Sequence, residues 1–190
     1  MPPLNTFKRS SIAIALSHAI ALPLQAATIT VDSTSDTPSA NICSLRSAII
    51  AANTNAPVDG CVAGDVSGSD TIDLSGLPNN STITLNGNEL PTVTTTISLN
   101  GPGQDNLTIS GNNSSRIISV RNGGDLTVSS MTLSNGSVSG SGGAIRVDEG
   151  NLTINSSTLF NNSAGTDGGA IDVIARRVRI AVGMKSWQRW

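Results

Sequence analysis

Four carboxylates in the C-terminal half of the chain are the side chains most open to a chemical role: Asp148, Glu149, Asp167 and Asp172. Paired carboxylates divide the acid and base duties of glycoside cleavage. Clustered ones hold Ca²⁺. Asp148 and Glu149 directly precede Gly150, however, and Asp167 directly precedes Gly168-Gly169. Acidic residues are ordinary in such turns because their side chains bond the local backbone. All four are therefore expected to be solvated turn chemistry, with no catalytic, cofactor-binding or metal-ligating set. The single histidine, His18, falls in a segment that reads as a removable leader. Its loss would take away the commonest general base and metal ligand.

Two cysteines, Cys43 and Cys61, are the other reactive groups. Without histidine or further cysteine they cannot complete a zinc shell. In an oxidising compartment such a pair is expected to bond. Closing a loop of this size stabilises by about 3 kcal/mol in the chain-entropy picture. Two free thiols are the alternative.

The compartment follows from the start of the chain. Lys8 and Arg9 precede an apolar run from Ser11 to Leu22, Pro23 breaks it, and Leu-Gln-Ala-Ala at 24–27 offers cleavage after Ala26 or Ala27. Residues 1–27 thus read as a secretory signal peptide, although Leu24 or Gln25 stands where a small residue is preferred. The competing reading is a membrane anchor. The run is shorter than the roughly 20 residues needed to span the hydrocarbon core, so no transmembrane segment is expected after leader removal.

Composition fixes the class of the remainder. Of 190 residues only 2 % are aromatic and none is Tyr. Ile, Val, Leu and Ala come in short pieces between Gly, Ser, Asn and Thr. That mixture suits many short strands joined by tight turns. All 13 acidic residues lie between Asp32 and Asp172, where the only basic residues are Arg46, Arg116, Arg121 and Arg146. Four against thirteen leaves this body at −9, a surface that excludes nucleic acid as a partner. Asn-x-Ser/Thr sequons such as Asn80, Asn106, Asn151 and Asn161 read as turn residues in this background.

The elements that would position these groups are one helix and a repeat. Leu45, Ala48, Ile49 and Ala52 recur at helical spacing, and Asn53 with the following Asn-Ala-Pro ends the pattern. From Asp70 the chain becomes apolar-x-apolar triplets: Ile72–Leu74, Ile83–Leu85, Ile97–Leu99, Leu107–Ile109, Leu126–Val128 and Leu152–Ile154. At an offset of 26, Leu126 matches Leu152, Thr132-Leu133 matches Thr158-Leu159, Asn135 matches Asn161, and Gly142-Gly-Ala-Ile145 matches Gly168-Gly-Ala-Ile171. A fixed period of this length made of strands signals a parallel β-helix. An antiparallel sandwich is the competing fold. The helix at 45–54 would cap the array, since terminal coils need covering. The organisation is a leader at 1–27, a cap with helix and disulfide loop at 28–69, β-helix repeats at 70–174 and an atypical basic tail at 175–190.

Cys43-Ser-Leu-Arg-Ser-Ala-Ile49, with Ala51-Ala-Asn53 after it, resembles the CSLREA domain of secreted bacterial proteins, with Ser47 standing where the family motif has Glu. Asp70-Thr-Ile-Asp-Leu74 and Leu90-Pro91 are also similar to that family. The two Gly-Gly-Ala-Ile units resemble polymorphic outer-membrane protein repeats. Together the resemblance covers 28–174. It implies a right-handed parallel β-helix of a bacterium, secreted or held at the cell surface in association with the outer membrane. It carries over no catalytic residues.

After Val173 the chain turns basic and holds Trp187 and Trp190. At the same offset Val178 and Ile180 fit the strand triplet, but Lys185 falls where Leu159 stood and Trp187 where Asn161 stood. The expectation is a chain truncated or frame-shifted from a longer β-helix. A cationic tail that touches a membrane surface is the alternative. The expected function is that of a non-catalytic adhesin or autotransporter-like passenger, with surface glycans or extracellular matrix as partners. A polysaccharide lyase or hydrolase is the enzymatic alternative. A fragment with no function of its own is the third.

Overall fold

A strand whose side chains alternate apolar and polar buries one face and wets the other. Strands of three to five residues are too short to make a core alone, so they stack like on like. The computed structural model describes residues 26–66, 68–174, 177–180 and 185–187. There the chain winds into a parallel β-helix of about four turns with a single short helix near its start. Most of the leader, His18 included, lies outside the described residues. No helix among those described is long and apolar enough to cross a membrane.

β1 (Thr28–Thr30) is followed by α1 (Leu45–Thr54). The first coil holds β2 (Asp70–Asp73) and β3 (Ser81–Thr84) and closes near Val93, which bridges to Val120. The second holds β4 (Thr96–Asn100), β5 (Leu107–Ser110) and β6 (Ile118–Arg121). The third holds β7 (Asp125–Ser129), β8 (Thr132–Ser134), β9 (Ser137–Val138) and β10 (Ile145–Asp148). The fourth repeats it as β11 (Asn151–Asn155), β12 (Thr158–Phe160), β13 (Ser163–Ala164) and β14 (Ile171–Ile174). β15 (Arg177–Ile180) and β16 (Lys185–Trp187) follow. Like strands pair in parallel as β1-β2-β4-β7-β11-β15, as β3-β5-β8-β12-β16, as β6-β10-β14 and as β9-β13.

The core is a stack of aliphatic layers. Ile72, Leu99, Val128 and Ile154 lie one above another on successive coils and are buried. Each such side chain contributes about 1.5–3 kcal/mol by leaving water. The 26-residue offset holds from the third coil to the fourth. It is not constant earlier, since Ile72 pairs with Leu99 and Leu99 with Val128, steps of 27 and 29.

The first coil does not stack triplet directly on triplet. Ile97 pairs with Asp70 rather than Ile72, and Leu107 pairs with Ser81 rather than Ile83. A slip of two residues keeps every side chain on its original face, so apolar alternation alone does not detect it. Asp70 consequently points inward, where later coils have Ile97, Leu126 and Leu152. It is buried beneath α1 and accepts a bond from the Asp65 amide at 2.9 Å.

In the tail, Val178 and Ile180 continue the core columns by backbone register, as the offset required. The next strand is corrected by one residue. Lys185 pairs with Thr158, Ser186 with Leu159 and Trp187 with Phe160. The backbone of the basic tail therefore continues two sheets of the solenoid. Residues 175–176, 181–184 and 188–190 lie outside the described set.

Helix α1 begins at Ser44, whose hydroxyl accepts from the Ser47 amide, and ends at Asn55 in the left-handed conformation. These are the usual capping devices. Leu45, Ala48, Ile49 and Ala52 are all buried against the first coil, as their spacing required. Cys43 and Cys61 form a disulfide with Cα atoms 4.6 Å apart.

Candidate functional site

The four carboxylates separate into two kinds. Glu149 and Asp167 are exposed in turns, as expected of their sequence context. Asp148 and Asp172 are not turn residues. They lie on β10 and β14, where Ile145, Val147, Ile171 and Val173 face the core and the alternate positions face out. Strand periodicity outweighs the neighbouring glycines here. Parallel register then builds two outward columns, Ser119–Arg146–Asp172 and Arg121–Asp148–Ile174. Arg146 Nε and Asp172 Oδ2 face each other at 4.0 Å. Both atoms are buried, and neither makes a hydrogen bond.

Above this pair the column is closed by Arg116. Ile118, Ile145 and Ile171 share a register position, so Ser115-Arg-Ile-Ile118 occupies the place of Gly-Gly-Ala-Ile in the later coils. The Arg116 guanidinium donates to the Gly142 and Ser141 carbonyls at 2.9 Å each and to Glu89 Oε2 at 2.8 Å. Ser119 Oγ donates to the same Glu89 oxygen at 3.1 Å. Arg116 thus ties three coils together and is spent on structure. Beside it a groove of about 520 Å³ is lined by Asn88, Glu89, Asn113, Ser115, Ser137 and Ser139. The strip carries Glu89, Asp148 and Asp172 against Arg116, Arg121 and Arg146, three charges of each sign.

A second cluster anchors the cap. Arg46 forks onto the Asp36 carboxylate at 2.9 and 3.0 Å. It also donates to the carbonyls of Glu89 at 2.8 Å and Asn88 at 3.0 Å. Asn53 donates to the Thr92 carbonyl at 2.8 Å and accepts from the Thr94 amide at 3.0 Å. Ser47, where the resembled motif has Glu, donates its hydroxyl to Asp59. The sequence marked this segment as a helix, but gave no sign of partners lying up to 43 residues away.

The largest sheet presents a third feature. Thr71, Ser98, Thr127 and Thr153 form an outward column, with Asp125 and Asn151 beside it. The Ser98, Thr127 and Thr153 hydroxyls make no hydrogen bond to another described residue. A shallow groove of about 510 Å³ runs over them. The threonine column on the neighbouring sheet differs, because Gln104 covers it. Thr132 Oγ1 donates to the Gln104 carbonyl at 2.7 Å and Thr158 Oγ1 to Gln104 Oε1 at 2.9 Å.

No group of three or more His, Cys, Asp or Glu among the described residues is arranged to hold a metal ion. The chemistry on offer is hydrogen bonding by hydroxyl, amide, carboxylate and guanidinium groups on a rigid frame. No family model, curated protein or solved structure matches this chain.

Proposed function

We propose that this chain is an exported, non-catalytic β-helix of the CSLREA and polymorphic outer-membrane type, secreted or held at a bacterial cell surface as adhesins and autotransporter passengers are. Surface glycans or extracellular matrix are its partners. The observation that carries the reading is the broad polar face of the six-stranded sheet, whose Ser98, Thr127 and Thr153 hydroxyls have no partner among the described residues. Solenoids offer extended regular faces of this kind for binding. The leader-like residues 1–27 and the Cys43–Cys61 bridge fit an oxidising destination.

The test is expression of the full chain with its own leader in a Gram-negative host. Fractionation and protease shaving of intact cells should find it outside the cytoplasm, and the purified chain should bind a glycan or matrix array. Cytoplasmic retention with an intact leader, or no binding on either array, would count against the proposal.

One observation favours a carbohydrate-active enzyme instead. Asp148 and Asp172 stand on neighbouring strands of one face, Asp172 opposite Arg146 and Asp148 two residues along the strand from it. Release of reducing ends from a polysaccharide, lost on Asp172→Ala, would establish that reading in place of the first.

A further inference from the structure

We infer that the outer face of β6, β10 and β14, with the groove that adjoins it at Glu89, binds a neutral saccharide chain. This goes beyond the surface-binding reading, which is carried by the six-stranded sheet, and rests on it for the class of partner.

The unsatisfied pair is the starting point. Arg146 Nε is a donor without an acceptor, and Asp172 Oδ2 is an acceptor without a donor. Buried polar atoms normally find partners, so each orphan needs an explanation. The two atoms are 4.0 Å apart, too far to bond each other. One oxygen atom can lie within about 2.9 Å of both, accepting from the arginine and donating to the carboxylate. A hydroxyl does both at a single atom, whereas a carboxylate or phosphate only accepts and an ammonium only donates. The Arg146 side chain is 28 % exposed and that of Asp172 is 14 % exposed. Other atoms of both side chains thus reach the surface, over the two unsatisfied ones.

Charge selects the same class of ligand. Three carboxylates and three arginines share the strip, so it attracts neither anions nor cations as a whole. The body of the chain, at −9, further disfavours acidic polymers. A peptide adding as a strand needs a free sheet edge. Here the ligand meets a sheet face instead, and side chains alone must hold it. Neutral polyols meet that condition.

The groove supplies length. Glu89 receives Arg116 and Ser119 on one carboxylate oxygen, Oε2. Beyond Glu89 lie the Asn88, Asn113, Ser137 and Ser139 side chains. Its volume of about 520 Å³ falls within the usual range for small-ligand sites. Asp172, Arg146, Ser119 and Glu89 follow one another across successive coils. The saccharide therefore lies along the solenoid axis, across the strands.

The experiment is calorimetric titration of the purified full chain with neutral β-glucan, xylan and galactan hexasaccharides, and with polygalacturonate oligomers as the anionic counterpart. At least one neutral series should bind. Asp172→Asn and Arg146→Gln should each weaken it tenfold or more, while Thr82→Val on a different sheet leaves it unchanged. Thermal melts establish folding. Should either column variant fail to fold, Asp148→Asn, at an outward position in the adjacent column, should still weaken binding. Failure of every neutral series, or tighter binding of polygalacturonate, overturns the inference. Binding indifferent to both Asp172→Asn and Asp148→Asn also overturns it, yet leaves the surface-binding reading intact. Loss of export with saccharide binding retained does the reverse.

Discussion

Arg46 shows how much one side chain fixes in this molecule. Its guanidinium joins the N-terminal segment at Asp36 to the first coil at Asn88 and Glu89, and the Asp36 side chain is only 2 % exposed. Asp36 also accepts from the Asn86 amide. Removing the arginine would strand a buried carboxylate, which costs about 3–5 kcal/mol when such a pair is broken. Arg46→Ala should lower the unfolding free energy by that amount in urea titrations. Arg46→Lys should recover only part of it, because an ammonium lacks the planar fork that meets Asp36 and two carbonyls together. A loss below about 1 kcal/mol for Arg46→Ala would show that solvent replaces these bonds. Helical periodicity reveals Leu45, Ala48, Ile49 and Ala52 because their pattern is local. It is blind to Arg46, whose partners are 10 to 43 residues distant. Arg146 opposite Asp172 is different, since the 26-residue offset already stacks them; what the sequence does not show is that their facing atoms are buried without hydrogen bonds.

Among the elements, the cap and the Gly-Gly-Ala-Ile corner decide how well the coils are held. The bridge joins residues 18 apart in sequence and encloses the whole of α1. Replacing both cysteines by alanine should cost about 3 kcal/mol. Hydrogen exchange should locate the loss in α1 and β1 rather than in the later coils, and a uniform loss would refute that assignment. At the corner, a Cβ on Gly143 would run into the backbone carbonyls of Gly169 and Ser163, whereas one on Gly140 meets nothing. Gly143→Ala should therefore destabilise by at least about 2 kcal/mol as an overpacking defect, with Gly140→Ala within about 0.5 kcal/mol of the parent. Equal melting temperatures for the two variants would remove this explanation of the motif. The corner was legible in the sequence because identical residues recur at 26. The first-coil strands were legible as strands but not in register, since a two-residue slip leaves apolar alternation unchanged. Only pairing with β4 and β5 shows that Asp70 and Ser81 take inward positions there.

At the scale of the whole molecule, each coil packs mainly on its neighbours, with the Gln104 contact to Thr158 reaching one coil further, so stability is close to a chain of local terms. The two ends differ. The first coil is covered by α1, the disulfide and the Arg46 and Asn53 contacts. The third and fourth are held to the second by sheet pairing, by Arg116 and by the Gln104 loop, which reaches Thr132 and Thr158. Leu126 is fully buried at the junction, between Ile97 above and Leu152 below. Leu126→Ala removes that contact and should cost about 2–5 kcal/mol. In a linear array the defect weakens the interface more than the units on either side. Hydrogen exchange of this variant should show peptides from 132–174 losing protection together, while those from 70–85 keep most of theirs under the cap. Simultaneous loss across 70–174 would mean that the solenoid unfolds as one cooperative unit, and that the cap stabilises every coil equally. The first outcome bears on binding as well. Asp148 and Asp172 lie in the less protected half, so the strip they share with Arg146 would open by local unfolding at a lower free energy than the rest of the molecule. Ligand that bridges coils three and four should then restore protection to 132–174 selectively, which the same exchange measurement reads in the presence of the bound hexasaccharide.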